Sequence, residues 1–217
     1  MASEPEICNL ALMKYGDKLI SSIDDDTKEG RACKVLYPLM RDEIMYSHPW
    51  NFAMRRVDIT GAIVTAPVFG YEFAYQLPPS CLRVWELFDP NLDTTSSRVW
   101  LSEGQLDKTH VIPEDLWEVE DDKLLTNREE DVWIRYIFRV TETGKFNPAF
   151  VNCVATRLAA ELAVYLAKSK TMRRELLDEL DKVVLPAAMR LNAFEGNKRR
   201  HRDSQPMDEG NFSWQAR

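Results

Sequence analysis

Histidines and clustered carboxylates are the residues best equipped for chemistry, so their spacing is the first question. His48, His110 and His201 could ligate a metal or carry protons. None stands in an HExxH, an HxH or a Cys/His zinc spacing, so no metal site is expected. Carboxylates gather at residues 24–26 (DDD), 118–122 (EVEDD) and 129–131 (EED). Such clusters can bind Mg²⁺ or Ca²⁺, but none has the EF-hand spacing. They read instead as solvated caps and hairpin tips. No GxxxxGK(S/T) loop, GxGxxG turn or GxSxG elbow occurs. The chain therefore reads as a non-enzyme without a cofactor.

The stretch SHPWNFAMRR, residues 47–56, offers a choice between chemistry and architecture. Pro49 disfavours helical geometry at His48, so the preceding helix must stop there. Trp50 and Phe52 are then free to pack back, and His48 is expected to partner the last-turn carbonyls. His48, Pro49, Trp50 and Phe52 thus read as a helix-end anchor.

Two further groups are candidates for binding. NKRRHR, residues 197–202, contains Lys198, Arg199, Arg200 and Arg202, and Phe212 and Trp214 follow it. A basic run with isolated aromatics suits a segment that orders on a partner, either nucleic acid or an acidic protein groove. Strand periodicity puts Trp133 on one face with Arg135 and Arg139, opposite the more apolar face. That makes them interface candidates, the alternative being a second layer of the β core.

These residues sit in a chain of 217 residues with ordinary globular composition and a formal net charge of −7. The acidity argues against a protein that coats DNA. No apolar run reaches the ~18 to 20 residues that span a bilayer, and the opening MASEPEICNL has no signal-peptide pattern. Cys8, Cys33, Cys81 and Cys153 are scattered, with no CxxC pair. Buried thiols and a reducing cytoplasm are expected.

The elements that must position all this read as helices, then strands, then helices. Residues 4–15 form a helix capped by Ser3 and closed by Gly16. A second helix starts with Asp26 as cap and Glu29 three residues on. Ala32, Leu36, Leu39 or Met40, and Ile44 face its core, and Pro38 predicts a kink or break. From about 57 to 141 the period becomes alternating. YEFAYQL puts Tyr71, Phe73, Tyr75 and Leu77 on one face. VWIRYIFRV does the same for Val132, Ile134, Tyr136, Phe138 and Val140. LRVWELF, RVWLS and LWEVEDDKLLT supply shorter strands, with Asp121 and Asp122 at a hairpin tip.

Helical period returns at Asn147, a cap followed by Pro148. Val151, Val154, Leu158, Leu162 and Tyr165 make one stripe, and Ala155, Ala159 and Ala163 a second. Thr171 caps a last helix with the stripe Leu177, Leu180, Val184, Ala188 and Leu191, kinked at Pro186. The fold class is α+β: a helical bundle formed by the N- and C-terminal helices, with an inserted antiparallel β domain and a flexible C-terminal tail. The divisions are 1–56, 57–141, 142–195 and the tail 196–217.

The quoted motifs resemble the phage tail tubular protein A family, the head-to-tail adaptors of tailed phages. The matching pattern is Asn9, Ala11, Leu12, Gly16, Ile20 and Ser22, then His48 to Ala53, then Arg55 and Arg56. YEFAYQLPPSCLRVWEL and ATRLAAELAVYL are similar to later family segments, so the resemblance covers most of residues 7–195. It implies a bundle with an inserted β domain and a homo-oligomeric ring, usually twelvefold, under the portal. It also implies that the C-terminal segment reaches the portal and that the other end docks the downstream tail or nozzle protein. DNA would pass through the ring without specific binding, the site would be the virion's head-tail junction, and no membrane is involved. The protein would be made in the host bacterial cytoplasm. The rival reading is a nucleic-acid-binding protein acting through the basic tail.

Overall fold

A computed structural model describes residues 2–88 and 116–195. The tail 196–217 with its candidate residues, the RVWLS strand, His110 and Trp100 lie outside the described residues. The chain is of mixed α and β type with antiparallel sheets.

Helix α1 (Glu4–Met13) begins with a reciprocal cap: Ser3 N–H donates to Glu6 Oε2 at 2.7 Å, and Glu6 N–H to Ser3 Oγ. Helix α2 (Lys28–Ser47) is capped by Thr27, whose Oγ1 accepts from Gly30 N–H at 3.0 Å. The expected Asp26 cap is therefore one residue early. Asp26 instead swings out to Arg31, and Asp25 accepts from the amides of Ser21 and Ser22. Gly30 is required here, since a Cβ would lie 2.4 Å from the Asp25 carbonyl oxygen. Pro38 does not break α2. Tyr37, Met40, Arg41, Ile44 and Met45 are buried around it, which offsets an interior proline's cost of about 3 kcal/mol.

Helix α3 (Pro148–Tyr165) starts as expected, with Asn147 Oδ1 accepting from Phe150 N–H at 2.7 Å. Its alanine stripe is buried, but Tyr165 faces outward rather than into the core. Helix α4 (Lys170–Glu179) is capped by Ser169, not Thr171. It runs through a wide π turn (Leu180–Val184) into α5 (Leu185–Glu195). The disturbance expected at Pro186 takes the form of this turn, in which Leu185 N–H reaches the Leu180 carbonyl. The turn changes the helical phase, so Leu191 is exposed and Asn192 is turned inward.

The strands are β1 (Met54–Asp58), β2 (Ile63–Val64), β3 (Phe73–Gln76), β4 (Cys81–Phe88), β5 (Trp117–Glu120), β6 (Lys123–Thr126) and β7 (Trp133–Phe138). One antiparallel sheet has the order β1-β7-β4 and the other β2-β3-β6-β5. Asp121 and Asp122 form the β5–β6 hairpin tip, with Asp121 at φ 57. Two cores result. Val132, Ile134 and Tyr136 join Tyr75, Leu124 and Val84 in the β core. Ile137 and Val140 face the other core, which α1, α2, α3 and the C-terminal helices share. Strand β7 is therefore buried on both faces where it meets the helices, which is why its alternation reads so apolar.

Candidate functional site

The SHPWNFAMRR stretch forms a joint between helices and sheet. His48 is extended (φ −146, ψ 145), so the chain turns away from α2 there. This carries Trp50 back under the helix end, where it is fully buried. Its indole N–H donates to the Ile44 carbonyl at 2.9 Å, and Ser47 Oγ donates to the same oxygen at 2.8 Å. The last-turn carbonyl expected to pair with His48 is thus satisfied by Trp50 and Ser47. A buried indole needs an acceptor, and the helix end supplies one. Around it, Phe52, Phe146 and Phe150 lie with ring centroids 4.9–5.6 Å apart, and Trp50 meets Phe150 edge-on at 5.2 Å. Burial of Trp50 stabilises by about 3 kcal/mol on the scale of core truncations.

Asn192, which sequence reasoning missed, locks the joint from α5. Its Oδ1 accepts from Asn51 N–H at 2.9 Å, and its carbonyl accepts from Asn51 Nδ2 at 2.6 Å. The first bond fixes the amide's orientation, so Asn192 Nδ2 is the donor to His48 Nε2 at 3.1 Å and to the Pro49 carbonyl at 3.2 Å. His48 Nε2 is then an unprotonated acceptor, and burial holds the His48 pKa below its ordinary value. The only sequence signal was an asparagine inside an apolar helical run. Asn9, the first residue of the matching pattern, also holds backbone in place. It exchanges two hydrogen bonds with the Ile20 main chain, at 2.8 and 2.9 Å.

The second candidate group is split. Trp133 is 40% exposed and stacks on Phe88, with centroids 6.2 Å apart and planes 12° from parallel. Arg135 lies on the same surface, pairs with Glu86 at 3.2 Å, and lines an apolar hollow with Phe88, Val57 and Trp133. Arg139 is elsewhere. It pairs with Asp42 of α2 at 3.1 Å, and Asp42 also holds Arg41. Arg139 thus ties the end of the sheet to a helix.

One concave feature of the helical part was not legible in the sequence. A groove of about 740 Å³ runs between α2 and α3, walled by Ala32, Val35, Leu36, Val164 and Tyr165. It continues through Glu161 and Val164 into a second hollow against α4, bounded by Lys170, Arg173, Arg174 and Leu177. Glu161 is held ionised by Arg173 and Arg157, against the opposing effect of its own burial. The groove is apolar at the floor and basic at the rim.

The carboxylate clusters serve the turns. Asp24 pairs with Lys34 at 2.8 Å, and Asp122 accepts from Gln76 Nε2 at 2.6 Å. Among the described residues, no group of three or more His, Cys, Asp or Glu is arranged to hold a metal. All four thiols are free, and burial pushes those of Cys81 and Cys153 up to about 11. No protein-family model matches the chain, and no curated protein matches it.

Proposed function

We propose that this chain is a structural adaptor at the head-to-tail junction of a tailed phage or prophage. In this reading the N- and C-terminal helices form one bundle, the β region is its insertion, and residues 196–217 form the tail that engages the portal. Copies assemble as a ring, by resemblance twelvefold, that extends the DNA channel and presents a platform to the downstream tail or nozzle protein. The net charge of −7 suits a channel that does not grip phosphate as DNA passes.

The observation that carries the reading is what the motif residues do. Asn9, His48, Pro49, Trp50 and Phe52 belong to the pattern shared with the adaptor family. Each is engaged in holding backbone or packing rings rather than converging on a reactive centre. They make a rigid joint between a helical part and a sheet part, and each part carries an exposed apolar surface: the groove and the Phe88–Trp133 face. A connector needs such a joint, because it must transmit position between two partners.

The test is co-sedimentation with the portal ring encoded beside this chain, using the full chain and a version ending at Glu195. The full chain is expected to pellet with the portal, and the truncated one far less. No binding by either version to an intact portal overturns the adaptor reading. A steep salt dependence of DNA affinity in that case would favour the nucleic-acid reading instead.

A further inference from the structure

We infer that the groove between α2, α3 and α4 receives helix α1 of a neighbouring copy of this chain. The inference rests on the ring reading above and names the surfaces that would close the ring. The groove offers the floor that a helix needs. Val35 is 65% exposed, Tyr165 is 56% exposed, and Val164 lines the groove with them. Three helices border it, which is the geometry of a helix laid in a groove.

The occupant must bring an apolar stripe with acidic flanks. Among the described residues Lys168, Lys170 and Arg174 make no ion pair, so the rim carries unbalanced positive charge in a chain whose net charge is −7. Helix α1 presents Glu6, Leu10 and Met13 outward at positions i, i+4 and i+7, with Leu10 and Met13 both exposed. Beyond its end come Asp17, half-buried, and the exposed Leu19. Opposite charge at the edges and apolar contact at the centre give both register and affinity.

Helix α1 contributes no residue to the groove walls, so its stripe and the groove are two different surfaces. Cys8 of α1 and Cys33, which neighbours Ala32 in the groove wall, share the helical core, and Lys14 of α1 pairs with Glu179 of α4. Two different surfaces form a heterologous contact, and such contacts close into rings when the rotation permits.

The experiment pairs Met13→Cys with Val35→Cys, both at exposed positions. The double variant is oxidised with copper phenanthroline, free at high concentration and on the portal ring, and run on non-reducing gels. Each single variant and the parent chain, with its half-buried Cys81, give the background. A ladder of multimers that needs both cysteines is the expected result. Val35→Glu should lower self-association by roughly tenfold or more, since it places a charge in an apolar contact. Multimers that form without this cross-link overturn the inference and leave the adaptor reading standing. A chain that forms no multimer in either setting overturns both. A ladder without portal binding supports this contact between copies and overturns the adaptor reading.

Discussion

His48 shows how a residue suited to catalysis can be consumed by architecture. Its ring accepts from Asn192 and lies edge-on to Trp50 at 5.0 Å. Burial depresses its pKa, so the folded state prefers the neutral imidazole. The unfolded chain takes this proton near pH 6.5, a typical free-histidine value. The folded chain takes it only at lower pH. The stability contributed is complete above about pH 6.5 and is lost as pH falls from there through the folded pKa. Protonation also removes the acceptor that Asn192 uses. Thermal melts between about pH 8 and 5, above the range in which ordinary carboxylates titrate, should therefore show a falling midpoint. His48→Gln, whose amide oxygen can still accept, should flatten that slope. An unchanged slope in the variant would show that His48 is not the titrating group. Pro49 and Trp50 announced the helix end in the sequence, because proline sterics and indole size act locally. Asn192 could not be matched to Asn51 in the same way: the two are 141 residues apart and meet only through tertiary packing.

At the scale of elements, the sequence located each helix and misplaced two of its caps. Asp26 and Thr171 were expected to cap, but Thr27 and Ser169 do. Neighbouring residues of similar capping propensity cannot be ranked by type alone. Backbone geometry chooses, and at α2 the close approach of the Asp25 carbonyl to Gly30 sets it. The consequence is measurable. Thr27→Ala and Ser169→Ala should each cost about 1 kcal/mol in chemical denaturation, as loss of an N-cap does. Asp26→Ala and Thr171→Ala should cost no more than a few tenths, since Asp26 makes only an exposed pair with Arg31. Equal costs across each pair would return the caps to their sequence-assigned positions. The alternation in residues 132–140 predicted a half-buried strand. Burial of Ile137 on the opposite face was hidden, because only the approach of α2 and α3 makes that face interior.

For the whole molecule, the direction of β7 decides what the far end can do. Its C-terminal end enters the helical core at Ile137 and Val140, so its first residue, Trp133, stands at the opposite end of the sheet. Trp133 pairs with Asp58 on one side and Phe88 on the other, at the remote ends of β1 and β4. The stacked pair is thus carried away from the helices that border the groove. A connector acting through both ends would use this face for the next tail component. Trp133 is already half in solvent, so Trp133→Ala should cost folding only about 1 kcal/mol. Exposed aromatics beside arginine are where interface energy concentrates, so the same change should weaken docking of the downstream tail or nozzle protein about tenfold or more. Portal co-sedimentation should be unaffected, because that attachment is assigned to residues 196–217. A variant that keeps tail docking at full strength would move the docking surface elsewhere on the sheet. One that loses portal binding instead would invert the orientation proposed for the chain.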